Sequence, residues 1–283
     1  MILPVIAFPA IDPVALHLGP ISIRWYGLAY VAAFVVAGLV MHWLAGRWKL
    51  NISDDDQLTI VIAAVIGVIV GGRLGYVLVY GGGFFLSNPA RIFAIWDGGM
   101  SFHGGLAGIL IAGAVVSRTM GIPWLTLCDI GSVGAPVGIF FGRIANFING
   151  ELWGRPTSVP WAIVFPNADA LPRHPSQLYE ALLEGLVLFA VMLWFATRKP
   201  NPPRGVILGW LLTLYGVFRI FVEFFRQPDI QMGARGFLAF GVTTGQLLSI
   251  PMVIAGVWLI VWARRKGLPQ MGRPEIAAKS GGS

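Results

Sequence analysis

Four residues with polar ends, Tyr215, Arg219, Glu223 and Arg226, fall at i, i+4, i+8 and i+11 inside an otherwise apolar stretch. On a helix that spacing predicts one shared face. Such a face cannot look at lipid; it lines a cavity or packs on other helices. A second polar run, GRIANFINGELWGR at 142–155, closes another apolar stretch. Arg143 and Asn146 are i, i+3 neighbours there, and Glu151, Gly154 and Arg155 follow as the chain emerges. Arginine's planar fork donates two parallel hydrogen bonds and suits a phosphate. A third run, GGMSFHGG at 98–105, sets His103 between glycine pairs. Imidazole is the side chain that takes up a proton near neutral pH. Tyr26 stands near the start of the first apolar run, where a tyrosine also serves as an interfacial anchor. Ionisable groups at membrane depth are functional candidates because they are costly unless paired or hydrated. The same residues also fit a structural Arg–Glu network, the seat of an anionic lipid headgroup, or the path of a transported anion.

The elements that position these residues are membrane spans. Of 283 residues, 56% are hydrophobic and 12% charged, against roughly 25% charged in a soluble globular chain. Runs of about 20 apolar residues mark spans. Seven are predicted, over 25–45, 58–80, 102–117, 125–149, 177–197, 205–226 and 244–263. The expected fold is therefore all-α and integral to the membrane, one polytopic domain over 1–283. With the N-terminus outside, eleven Lys and Arg fall in the inside loops and tail, and four (Arg91, Arg155, Arg173 and Arg235) fall outside. Positive charge concentrates on the cytoplasmic side, so this predicts a periplasmic N-terminus and a cytoplasmic C-terminus. The net charge of +7 is then a topology signal, and nucleic acid is not expected as a partner.

Residues 81–99 combine aromatics, glycine and proline and are expected to form an interfacial arm. Residues 150–176, rich in proline and with Trp153 and Trp161, are expected to form a small periplasmic head. Residues 266–283 are expected to be a flexible cytoplasmic tail. The N-terminal segment lacks a basic start and is broken by prolines, unlike a cleaved signal peptide. Asp54–Asp56 is expected as a solvated cluster capping the second helix. The single cysteine, Cys128, excludes an internal disulfide and is expected to be a small buried apolar residue. No HExxH or Cys/His cluster calls for a metal, no GxSxG elbow for a serine nucleophile and no Walker segment for a nucleotide. No internal repeat is visible, which weakens the transporter alternative.

GRIANFINGELWGR resembles the signature of the prolipoprotein diacylglyceryl transferase family almost residue for residue. RWYGLAY at 24–30, GGMSFHGG at 98–105, HPSQLYEALLEG at 174–185, LYGVFRIFVEFFRQPD at 214–229 and TTGQLLSIPM at 243–252 resemble its other blocks in the same order. The resemblance implies a seven-helix inner-membrane enzyme with a periplasmic head and arm segments. Its donor would be phosphatidylglycerol and its acceptor the lipobox cysteine of a prolipoprotein. Its products would be a thioether-linked diacylglyceryl prolipoprotein and glycerol 1-phosphate, with no cofactor. It further implies functional positions at Tyr26, His103, Arg143, Asn146, Glu151, Gly154, Tyr215, Arg219, Glu223 and Arg226. Arg24 stands where some members carry histidine and receives no role.

The reaction is an alkyl transfer, in which a thiolate displaces a phosphate oxygen from a glycerol CH₂ carbon. A free cysteine has a pKa near 8.5, so a base or a positive field must supply the thiolate. Arg143 and Arg219 are expected to clamp the phosphate, with Asn146 and Glu151 orienting the headgroup and the arginines. His103 is the expected base; the alternative is that the arginine field alone lowers the thiol pKa. Cys128 lies near the cytoplasmic end of its span, so direct displacement is expected without a covalent enzyme intermediate.

Overall fold

Capping decides where the apolar runs become helices. In the computed structural model, which describes residues 6–9, 11–19, 21–227 and 242–274, Ser53 caps helix α2 (Asp54–Tyr80) and Asp56 reaches back to the Ser53 amide. Three aspartates occupy the first turn of α2, where carboxylates complement the exposed amides. Thr243 and Gln246 form the same reciprocal cap on the last helix, α9 (Thr244–Lys266), which ends in Arg264, Arg265 and Lys266. Helix α1 (Trp25–Trp48) precedes α2, and a short α3 (Phe84–Ser87), α4 (Phe102–Met120) and α5 (Trp124–Ile148) follow it. The fifth span, Ser176–Ala196, starts as α6 (Ser176–Glu180), widens into a π-helical stretch over Ala181–Val187 and ends as α7 (Leu188–Ala196). The sixth is α8 (Val206–Val222).

Six of these helices are long and apolar enough to cross a membrane, and α8 is a shorter apolar one. Large apolar side chains such as Leu39, Ile66, Leu78, Ile111, Ile254 and Trp258 point outward, as a bilayer requires. The protein is a multi-pass membrane protein. The predicted spans all have a helical counterpart, with one correction. The sixth was expected to run to 226, but the helix stops at Val222 and Glu223 caps it. Arg226 therefore lies beyond the helix, and its place on a common face with Tyr215, Arg219 and Glu223 is not helical phase. The chain leaves the helix because its backbone is needed elsewhere: Phe225 O accepts the Arg155 amide (2.9 Å), and Arg226 pairs with Gly154 in an antiparallel bridge.

The chain divides into two units. The first comprises residues 1–40 and 129–269. Here α8 and α9 approach through glycine: a Cβ on Gly256 would sit 2.6 Å from Gly209 O, and one on Gly216 3.1 Å from Ser249 O. The fifth span presses on α5 at Gly185, where a Cβ would lie 2.8 Å from the Phe140 Cα. The buried Asp129 carboxylate accepts the amides of Gly205 (2.6 Å) and Leu208 (2.8 Å) and so caps α8 from another span. Strand β1 (Ile6–Ala7) pairs in parallel with β4 (Ile163–Val164), and β2 (Val14–Leu18) forms a hairpin with β3 (Ile21–Arg24) ahead of α1.

The second unit comprises 41–128 and 270–283. Gly67, Gly71 and Gly75 of α2 meet Gly104 and Gly108 of α4 so closely that a Cβ on Gly75 would lie 2.7 Å from the Gly104 Cα. Such approach holds membrane helices together by packing alone. Residues 81–99 fold as short helical turns. Arg73, buried in α2, donates to the carbonyls of Ile92 (2.8 Å), Gly98 (2.6 Å) and Gly99 (3.1 Å) and pins them. Arg273 pairs with Asp56 (3.0 Å). The tail from 275, with Lys279, and Arg235 of the last outside segment lie outside the described residues.

Candidate active site

The polar side chains of the first unit collect around one carboxylate that the sequence reading left unassigned. Glu180, fully buried at the start of the π-helical stretch, places Oε2 2.8 Å from Arg143 Nε and 3.0 Å from Arg219 Nη1. The two arginines come from α5 and α8, so their convergence is tertiary. Arg219 is gripped from its other side by Glu223 Oε2 (2.9 Å), one helical turn on, and Glu184 Oε1 stands 3.9 Å away. Glu184 is also fully buried, and neither of its oxygens has a hydrogen-bond partner among the described residues. A π-turn that carries buried Glu184 and follows directly on buried Glu180 matches the habit of such turns to mark functional sites. Tyr215 stands one helical turn before Arg219 on α8, within electrostatic reach of Glu184, Arg219, Arg143 and Glu180.

A second chain of contacts fixes Arg143. Its Nη1 donates to Asn146 Oδ1 (3.3 Å), the i, i+3 pair expected from sequence. Asn146, itself buried, donates through Nδ2 to Glu151 Oε1 (2.8 Å) and, at 3.5 Å, to the Tyr26 hydroxyl at the start of α1. Asn149 also donates to Glu151 (3.4 Å). Glu151 reaches back because the backbone reverses sharply: Gly150 and Leu152 both take positive φ, +64° and +56°. A leucine in the left-handed region is strained and needs outside support. Ser176 Oγ donates to Leu152 O (3.1 Å), and Gln177 Nε2 donates to Glu151 O.

Gly154 contributes backbone only. Its amide donates to His174 O (2.9 Å), and a Cβ there would meet His174 O and Phe225 O, both at 2.6 Å. Arg155 clasps the other side, donating to Arg226 O (2.9 Å) and Glu223 O (3.1 Å). Arg173 ties the 154–173 segment together with two bonds to Asp169 (2.9 and 2.7 Å) and one to Gly154 O (3.0 Å). The Arg173 guanidinium holds the Asp169 carboxyl below the usual carboxylate range, and burial pushes the His174 imidazole down.

The structure thus brings together Tyr26, Arg143, Asn146, Glu151, Tyr215, Arg219 and Glu223 in two linked clusters. Gly154 and Arg226 sit at the backbone junction beside them. His103 belongs to the second unit, in the first turn of α4; its ring is exposed and lies edge-on to Phe102. The arrangement of the first unit is suited to a phosphate. Two guanidiniums from different spans aim at one oxygen position, and among the described residues no partner falls to Nη2 of Arg143 or Nε of Arg219.

A model of the prolipoprotein diacylglyceryl transferase family matches residues 13–262. The chain belongs to this family. A phosphatidylglycerol–prolipoprotein diacylglyceryl transferase of Geobacter sulfurreducens is 48% identical to it, the match covering 92% of this chain and 98% of the relative. A protein of the same name from Rhodospirillum centenum is 51% identical over 91% and 94% of the two chains. Another, from Rhodopseudomonas palustris, is 49% identical over 97% and 98%.

Of the family blocks quoted from the sequence, HPSQLYEALLEG supplies the residues that reading missed, Glu180 and Glu184. A signal was present. Two glutamates four apart inside an apolar run are themselves ionisable groups at membrane depth.

Proposed function

We propose that this chain transfers the diacylglyceryl group of phosphatidylglycerol to the lipobox cysteine of prolipoproteins, releasing glycerol 1-phosphate, as the first step of bacterial lipoprotein maturation. The observation that carries this reading is the convergence of Arg143 and Arg219, from different spans, on the Glu180 Oε2 carboxylate oxygen at 2.8 and 3.0 Å, which brings two guanidiniums to one place. The cysteine sulfur attacks the glycerol CH₂ carbon. A carbon–sulfur bond forms, the carbon–oxygen bond to phosphate breaks, and the electron pair leaves on the phosphate oxygen. The phosphodiester becomes a monoester of greater negative charge, and guanidiniums already in place stabilise that gain without reorganising. The residues orienting them are Asn146, Glu151 and Tyr26 around Arg143, and Glu223 and Tyr215 around Arg219. Arg226 and Gly154 hold the neighbouring backbone. His103 is the proposed base for the thiol proton, on the chemistry of imidazole and the family resemblance. The proposed setting is the inner membrane, with the N-terminus and the site on the periplasmic side.

The test uses purified full-length protein in detergent with phosphatidylglycerol and a lipobox peptide. Thioether product and glycerol phosphate are expected together, without a membrane potential or ion gradient. Equal glycerol phosphate release with a peptide carrying Ser in place of Cys would end this reading.

A further inference from the structure

Arg219 is surrounded by more negative charge than an anion-binding arginine needs. Glu180, Glu184 and Glu223 all approach it, and Glu180 Oε2 occupies the point on which Arg143 also converges. A site selected only to hold a phosphate would leave that point open, because a buried carboxylate competes for the same N–H groups. A buried ion pair is also weak evidence for stability, since desolvation offsets its attraction. What such a bridge does supply is geometry. Two guanidiniums from separate spans repel each other, and a shared carboxylate oxygen holds them at one spacing and orientation.

We infer that Glu180 is a positioning residue: its carboxylate locks Arg143 and Arg219 into one two-armed clamp, and it does so at the expense of affinity for the donor phosphate. The inference rests on the phosphatidylglycerol reading proposed above. Several features support it. Glu180 is fully buried, so it has no solvent role. Its Oε1 has no hydrogen-bond partner among the described residues, so the arginines are what holds it. It sits where the helix widens into the π-turn, adjoining the Gly185–Phe140 contact that presses its span against α5. Finally, the bridge leaves Nη2 of Arg143 and Nε of Arg219, one from each span, without a partner among the described residues. The resting clamp is therefore aligned and partly neutralised. Donor binding works against the glutamate, while the transition state, which carries more negative charge on phosphate, benefits from the alignment. Interactions that weaken ground-state binding while favouring the transition state raise kcat.

Glu180→Gln keeps the shape and removes the charge. Two measurements are made on the purified full-length variant: the Kd of dihexanoyl phosphatidylglycerol by calorimetry with no peptide present, and steady-state kinetics with phosphatidylglycerol and a lipobox peptide. Expected are a Kd and KM for the lipid lowered by about threefold or more together with a kcat lowered by about tenfold or more, the pattern of a lost ground-state penalty with lost alignment. A purely structural role predicts lower kcat with unchanged or weaker lipid binding, and that result overturns the inference, as does unchanged kcat. If Glu180→Gln does not fold, Glu180→Asp is measured in the same way. Its withdrawn carboxylate should lower Kd and kcat together to a smaller degree, and a raised Kd overturns the inference. Wild-type protein that binds the lipid but forms no thioether would count against the transferase reading alone, because the calorimetric arm still judges Glu180.

Discussion

Arg143 and Arg219 do different jobs from the lysines that would carry the same charge. Arg143 spends Nε on Glu180 and Nη1 on Asn146, and Arg219 spends one terminal nitrogen on each of two glutamates. Only a planar fork makes such divergent contacts and still keeps a further donor. Arg143→Lys and Arg219→Lys are each expected to cut kcat/KM by at least about tenfold, roughly 1.4 kcal/mol. Alanine should cost more, because Glu180 would lose a partner while staying buried. The double substitution should lose less than the product of the single losses, since both residues serve one group. Turnover of the purified variants checks this, and near-normal activity in either alanine variant removes the clamp. His103→Gln probes a separate step. If imidazole takes the thiol proton, the defect shrinks as pH rises toward the thiol pKa, while the arginine defects persist. A pH-independent defect makes His103 a positioning residue.

Among the elements, the junction of the 142–155 segment with the end of α8 is the most constrained. Gly154 lies between two carbonyl oxygens, those of His174 and Phe225, neither of which is a flexible side-chain end. Gly154→Ala therefore has to push backbone apart, breaking the Gly154–Arg226 bridge and loosening Arg155 from Glu223. The variant should lose most activity and unfold at lower temperature than wild type; thermal unfolding and turnover measured together check it, and a fully active, equally stable alanine variant contradicts this account. Much of the element level was legible beforehand, because a span needs only an apolar run of sufficient length. The end of α8 was not. Glu223 and Arg226 continue the helical spacing on paper, but pairing with Gly154, some seventy residues earlier in sequence, decides where the helix stops.

For the whole molecule, orientation is the property to test. The distribution of eleven basic residues inside against four outside predicts that cysteine placed at Gly82 or Asn167 reacts with an impermeant thiol reagent from the periplasmic side, in a Cys128→Ala background. Cysteine at Lys199 should stay unlabelled in intact spheroplasts, and labelling there reverses the orientation. The charge asymmetry is a sum over loops and needs no tertiary information, which is why it is read before any fold is known.

The sequence by itself determined that the chain lives in a membrane, where its spans lie to within a turn, which family it resembles, and that Arg143 and Asn146 are neighbours. All of these follow from hydropathy, short-range spacing or an uninterrupted motif. The tertiary structure alone decided that Arg143 and Arg219 share one carboxylate and that Glu180 provides it. It also decided that Gly154 is a point of backbone contact and not a side-chain site. The physical reason is range. Helical phase links residues up to about two turns apart, whereas a buried charge finds its partner on whichever span packs against it. Close packing at Gly185 and at the Gly209–Gly256 crossing helps set that neighbour.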